Sequence, residues 1–112
     1  MISVRELKSV EEFHTFKEMQ GDELHIVKLS APWCGPCRVL AETIRNLDKD
    51  KIGTALFAEI NIDTDETEAV GEECKIRGVP VLIYYKNGEE VKRSMGAVTA
   101  EDIYNAINEL AA

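Results

Sequence analysis

Apolar residues recur at helical spacing in some parts of the chain and form short continuous runs in others. The segment 9–21 predicts a helix, because Ser9 and Glu12 form a capping box and Gly21 ends the apolar pattern. The apolar residues that recur along this segment are Val10, Phe13, Phe16 and Met19. This spacing is typical of an amphipathic helix.

Three further segments have a helical pattern. The segment 34–50 predicts a second helix, 66–75 a short acidic helix, and 99–112 a last helix that Thr99 caps. The apolar residues expected on the buried faces of the second and last helices are Leu40, Ile44, Leu47, Ile103, Ile107 and Leu110.

The continuous apolar runs predict strands. The runs 24–30 and 54–63 are typical of strands covered on both faces, and 81–95 predicts a hairpin whose Asn87-Gly88 pair suits a type I′ turn. Strands joined through a helix pair in parallel, whereas a hairpin adds antiparallel pairing. The pattern therefore predicts an α/β protein with a central mixed β-sheet flanked by helices.

Composition and charge narrow the class of protein. The chain has 112 residues, which we interpret as a single domain, 1–112. Its net charge of -8 argues against nucleic acid or an anionic membrane as the main partner. The apolar runs are too short to span a membrane, and the first residues lack the basic and apolar regions of a secretory signal. If these residues are the native start, the lack of a secretory signal predicts a cytoplasmic protein.

Two cysteines lie where the run 24–30 ends and the next helix begins. Unsatisfied backbone N–H groups and the helix dipole favour a thiolate at Cys34, which should titrate below a free cysteine. Cys37 is one helical turn further on, so its sulfur can reach the first. Pro36 suits the first turn of a helix, and Gly35 leaves the approach to Cys34 open. This pattern favours thiol–disulfide exchange, because so small a ring gives a structural disulfide little stabilising effect.

A zinc half-site is an alternative reading of the same pair. The further ligands would have to come from Cys74, His14 and His25, which have no matching spacing. We therefore expect no metal and interpret both histidines as ordinary surface residues. We interpret Cys74 as a bystander on the short helix, with dimer formation or oxidative regulation as its alternative roles.

Four stretches of the chain resemble the thioredoxin family. "APWCGPC" at 31–37 resembles its active-site motif, and "KIRGVPVLIYYKNGE" at 75–89 resembles its later signature; "NID" at 61–63 and "MGAVTAEDI" at 95–103 also match. The resemblance extends through nearly the whole chain and implies the thioredoxin fold and protein-disulfide reductase activity. It further implies no bound cofactor, disulfide-containing target proteins, recycling by a thioredoxin reductase or equivalent donor, and a monomer.

The resemblance also implies roles for individual residues. Cys34 matches the nucleophile, Cys37 the resolving thiol, and Pro80 a cis-proline that faces them. A cis bond there would expose the backbone of Val79, which could pair with an extended target like an added strand. The residues that the resemblance assigns to the rim against which targets dock are Trp33, Gly35, Pro36, Val79, Pro80, Gly96 and Ala97.

Lys28 and Glu59 depart from the family pattern. The family usually has a buried aspartate at the first position and a lysine at the second, so the charges are reversed here. Each is one charge on an apolar strand face, which predicts that the two form an ion pair. Our hypothesis is that Glu59 takes over proton transfer near Cys37 while Lys28 stabilises its thiolate. The alternative is that Lys28 only extends its ammonium group into a hydrated pocket, with no part in catalysis.

Two other positions also depart from the family. Ser30 replaces a frequent tryptophan, which predicts thinner packing under the site, and Glu42 replaces a helix-kinking proline, which predicts a straighter helix. Two alternative functions stay open from the sequence. One is a binding subunit of a larger complex with incidental redox activity, and the other is a disulfide oxidase or isomerase.

Overall fold

The structure is a computed structural model that describes residues 1–111. Its five strands are β1 (Val4–Leu7), β2 (His25–Ser30), β3 (Leu56–Asn61), β4 (Val81–Lys86) and β5 (Glu89–Met95). Its four α-helices are α1 (Val10–Lys17), α2 (Gly35–Arg45), α3 (Glu68–Glu73) and α4 (Ala100–Ala111). A short 3-10 helix, Lys49–Lys51, follows α2.

The strands form one mixed sheet in the order β1-β3-β2-β4-β5. β3 pairs in parallel with both β1 and β2, whereas β4 pairs antiparallel with β2 and with β5. Helices pack on both faces: α2 and α4 contribute to one apolar cluster, and α1 and α3 to the other. The predicted α/β class with a mixed sheet flanked by helices is therefore confirmed. Within residues 1–111, no helix has both the length and the apolar character of a membrane span.

Local signals in the sequence account for the ends of several elements. The Ser9 hydroxyl accepts a hydrogen bond from the backbone N–H of Glu12 at 3.0 Å, as the capping box predicts. Asn87 and Gly88 have φ values of 52° and 81°, the left-handed conformation that a type I′ turn requires at both positions. At α4, the Thr99 hydroxyl accepts from the Asp102 N–H at 3.1 Å. These contacts confirm the predicted caps and the hairpin.

Some predicted boundaries are wrong. β1 was not predicted, because it is an edge strand in which Leu7 is the one buried residue. α1 ends at Lys17, so Met19, which was predicted to belong to the helix, lies beyond it and is 39% exposed. α2 ends at Arg45 and not at residue 50, because the chain continues into the 3-10 helix. The predicted end of the last helix, Ala112, lies outside the described residues.

We predict that the substitution Thr99→Ala lowers the free energy of unfolding by about 1 kcal/mol, because it removes the cap of α4. Urea denaturation followed by circular dichroism measures this change. Thr43→Ala is the matched control, since the Thr43 hydroxyl bonds to the Val39 carbonyl within its own helix and alanine favours helix. An equal loss of stability in both variants would contradict the prediction.

Candidate active site

Three strands have one of their ends at the same end of the sheet. β2 and β3 run in parallel, so both of their carboxyl ends lie there. β4 begins at the same end of the sheet because it is antiparallel to β2. The chain after β2 carries the two cysteines, and the chain before β4 carries Val79 and Pro80. Segments far apart in sequence therefore lie beside one another.

Cys34 and Cys37 form a disulfide with a Cα–Cα distance of 5.2 Å. Cys34 is the N-cap residue of α2, and its sulfur accepts a hydrogen bond from the Cys37 backbone N–H at 3.1 Å. Both cysteines have little exposed surface, 4% for Cys34 and 2% for Cys37, whereas Gly35 and Pro36 between them are exposed. Once the disulfide is reduced, the same N–H group is placed to stabilise a thiolate at Cys34.

The Val79–Pro80 segment lies against the disulfide. Its peptide bond is cis, as the resemblance implies, and the Val79 carbonyl oxygen is 3.7 Å from Cys34 Sγ. The Gly96 N–H donates to the Pro80 carbonyl at 2.9 Å, which brings the Gly96–Ala97 loop to the same place. Pro80 itself is buried, so the surface around the disulfide is formed mainly by its neighbours.

Trp33 is the most prominent exposed apolar side chain beside the disulfide. It is 69% exposed, yet its indole N–H donates to the Asp63 carboxylate at 2.9 Å. Asp63 is itself held by a hydrogen bond from its N–H to the Asn61 side chain. The "NID" stretch at 61–63 resembles the family, but the sequence alone did not predict that Asp63 holds the tryptophan. The signal available in the sequence was an aspartate at the end of a predicted strand, next to which the loop of Trp33 could lie.

Lys28 and Glu59 face each other directly across β2 and β3. Lys28 Nζ is 3.0 Å from Glu59 Oε2, so the predicted ion pair is confirmed. The ammonium group also donates to the Cys37 carbonyl oxygen at 3.3 Å. Both charged residues, Ser30 and Cys37 line one pocket beneath the disulfide.

The two histidines lie outside the pocket that Lys28 and Glu59 line. His14 is partly exposed and its Nε2 contacts the Glu73 carboxylate at 2.7 Å. The prediction that His25 is a surface residue is wrong: it is 2% exposed and its ring packs on Phe16, because helix α1 covers this end of β2. Within residues 1–111, no group of three or more His, Cys, Asp or Glu side chains is arranged to hold a metal ion.

Cys74 follows α3 and is buried beside Tyr85, with its sulfur 3.9 Å from the phenol oxygen. Burial raises the pKa of the Cys74 thiol above its ordinary value, and the Tyr85 hydrogen bond opposes this only in part. Burial likewise raises the pKa of Tyr85. Both groups are therefore protonated near neutral pH.

An α/β sheet with a buried cysteine pair at a strand–helix junction, facing a cis-proline, defines a thiol–disulfide oxidoreductase. The family model described as thioredoxin matches residues 6–109. The chain therefore belongs to the thioredoxin family. It is a protein-disulfide oxidoreductase, and its Cys34–Cys37 pair takes part in dithiol–disulfide exchange.

Individual relatives agree with this assignment. Human thioredoxin is 32% identical over 107 residues, which cover 96% of this chain and 98% of that protein. Thioredoxin-2 of Saccharomyces cerevisiae is 35% identical over 94 residues, 84% of this chain and 86% of that protein. Among solved structures, thioredoxin of Malassezia sympodialis superimposes with a TM-score of 0.82 at 25% identity, covering 100% of this chain and 94% of that one. Plasmodium falciparum thioredoxin gives 0.79 at 29% identity, covering 95% and 98%.

We predict that, in the reduced protein near neutral pH, iodoacetamide alkylates Cys34 about tenfold or more faster than Cys74. The reason is that Cys34 lies at a helix N-terminus, whereas burial keeps Cys74 protonated. Peptide mass spectrometry over a time course measures the two rates. In urea the difference should disappear. Equal rates in the folded protein would contradict the prediction.

Proposed function

We propose that the chain reduces protein disulfides, with Cys34 as the attacking thiol and Cys37 as the resolving thiol. The observation that carries this assignment is the hydrogen bond from the Cys37 N–H to Cys34 Sγ at the start of α2. A first-turn amide favours the charged sulfur that attacks, and Cys34 is the cysteine that caps the helix.

The proposed reaction has two exchange steps. The Cys34 thiolate attacks one sulfur of the target disulfide, which forms a mixed disulfide and releases the other target sulfur with its electron pair. The Cys37 thiolate then attacks Cys34 Sγ, which forms the Cys34–Cys37 disulfide and releases the second target sulfur. The target gains two electrons and two protons, and the cysteine pair loses them. Because the two sulfurs carry the electrons, the proposed cycle needs no bound cofactor.

Target docking is proposed to use the surface around the disulfide. An extended target segment would pair with the backbone of Val79, whose carbonyl is already within 3.7 Å of Cys34 Sγ. The side chain of Trp33, held by Asp63, offers an apolar contact at the edge of that segment. The other rim residues proposed to contact the target are Gly35, Pro36, Pro80, Gly96 and Ala97.

The cellular setting is part of the same proposal. We propose a monomer in the cytoplasm that carries electrons from a thioredoxin reductase or equivalent donor to disulfide-containing targets. A monomer leaves the rim around the disulfide free for targets. Gly35 and Pro36 between the cysteines resemble the reducing members of the family, which supports a reductase rather than an oxidase or isomerase.

We predict that Cys34→Ser abolishes the reduction of a model protein disulfide in the presence of a regenerating dithiol, because the attacking sulfur is lost. Cys37→Ser should instead accumulate a mixed disulfide with the target, visible by non-reducing electrophoresis and mass spectrometry. Cys74→Ser is the matched control and should keep wild-type activity. A Cys34→Ser variant that remains active, or a mixed disulfide formed through Cys37, would contradict the assignment.

A further inference from the structure

Lys28 is the one lysine, arginine, aspartate or glutamate among residues 1–111 that is buried. Its side chain is 4% exposed, and the neighbours on β2, Val27 and Leu29, are fully buried. A buried ammonium group is destabilising unless a carboxylate and hydrogen-bond acceptors replace the lost water. Its position therefore requires partners, and the partners show where its charge acts.

The two partners of Lys28 connect it to the resolving cysteine. One is Glu59, whose Oε2 lies 3.0 Å from Lys28 Nζ. The other is the carbonyl oxygen of Cys37, at 3.3 Å. The ammonium group is thus fixed against the first turn of α2, at the residue whose sulfur must become a thiolate in the second exchange step.

The other charged groups that face this pocket are more exposed to solvent than Lys28. Glu59 is 37% exposed, so water screens its carboxylate more than it screens the ammonium group. Glu6 on β1 and Arg38 on α2 complete the charged lining; both are exposed, and their charges are opposite in sign. Lys28 is therefore the one charged group of this lining that is both buried and hydrogen-bonded to Cys37.

We propose that Lys28 stabilises the thiolate of Cys37 and that Glu59 accepts the proton that Cys37 releases. The proposal rests on the proposed exchange through Cys34 and Cys37 and specifies its second step. The proton of the Cys37 thiol passes through the pocket to the Glu59 carboxylate. The thiolate electron pair then forms the bond to Cys34 Sγ, and the bond between Cys34 and the target breaks, with its electron pair on the target sulfur.

Lys28 acts in this proposal through the Cys37 sulfur and touches no target, so it is a positioning and electrostatic residue. Because a positive charge favours the thiolate over the thiol, it also favours the reduced pair over the disulfide once the pH exceeds the titration midpoint of Cys37. The protein is then a stronger oxidant in that range than it would be without Lys28.

The first test titrates Cys37 alone, in a protein that carries Cys34→Ser and Cys74→Ser, by the ultraviolet absorbance of the thiolate. Adding Lys28→Met should raise the titration midpoint by about one pH unit or more, because an adjacent opposite charge shifts a thiol by that order. Lys28→Arg retains the charge and should stay near the parent protein. An unchanged midpoint in a folded Lys28→Met protein would overturn the proposal.

The second test uses Glu59→Gln, which is expected to change both the Cys37 titration midpoint and the rate of target release. Loss of the negative charge should lower the Cys37 midpoint, while loss of the proton acceptor should slow release of target from the mixed disulfide at pH 7 by about tenfold. A merely structural ion pair would leave the release rate unchanged, whatever its effect on the midpoint. An unchanged release rate would therefore remove Glu59 from the step.

The third test compares the redox equilibrium with a reference dithiol in proteins that keep both Cys34 and Cys37. Above the midpoint, Lys28→Met should shift the equilibrium toward the disulfide by about tenfold, or about 30 mV, relative to wild type and Lys28→Arg. The two failures are distinguishable. If the wild-type pair does not interconvert between dithiol and disulfide, the proposed function fails; if it does and the variants match it, only the role of Lys28 fails.

Discussion

The active site depends on the hydrogen bonding of β2, which pairs with β3 on one side and with β4 on the other. A strand bonded on both sides and covered on both faces has little freedom to move, because each shift would break a ladder and expose apolar side chains. The antiparallel register places Leu29 opposite Val81, so the end of β2 and the start of β4 lie side by side. That register determines the position of the disulfide relative to Val79.

The same register explains why a charge can occupy a buried position in β2. Lys28 and Glu59 are direct neighbours across a parallel pair, so their side chains leave the sheet on one face and meet without distortion. Glu59 remains partly exposed and brings some solvent to the pair, which reduces the desolvation penalty that a fully enclosed pair would have. Ser30, in the same pocket, leaves room that a large side chain would fill. A small side chain under the site and a buried ammonium group thus occur in the same pocket.

The predictions from sequence succeeded where the signal was local. The cysteine pair at a strand–helix junction, the capping box of α1 and the Asn87-Gly88 turn each depend on residues within one short segment. The Lys28–Glu59 pair could also be predicted, because an isolated charge on a buried strand needs a partner of opposite sign. The predicted face was correct, but the exact register was known only from the sheet itself.

Other features depend on contacts between distant segments, which a single sequence does not encode in an obvious way. β1 becomes a strand through its pairing with β3, some fifty residues later, and buries only Leu7. His25 is polar by type, yet Phe16 and the neighbouring strands cover it. The contact between Trp33 and Asp63 requires that two strand ends meet. In each case the tertiary arrangement overrides the local preference.

The exposed edges of the sheet have a consequence for solubility. A sheet with two free edge strands must avoid pairing with other copies along them. β5, at one edge, is largely exposed and carries charges of both signs in "EEVKRSM", while β1, at the other, is short and has Arg5 and Glu6 exposed. Edge strands of this kind are poor templates for aggregation, because each added strand would bury unpaired charges. Both edge strands of the sheet therefore resist the pairing with further copies that fibre growth requires.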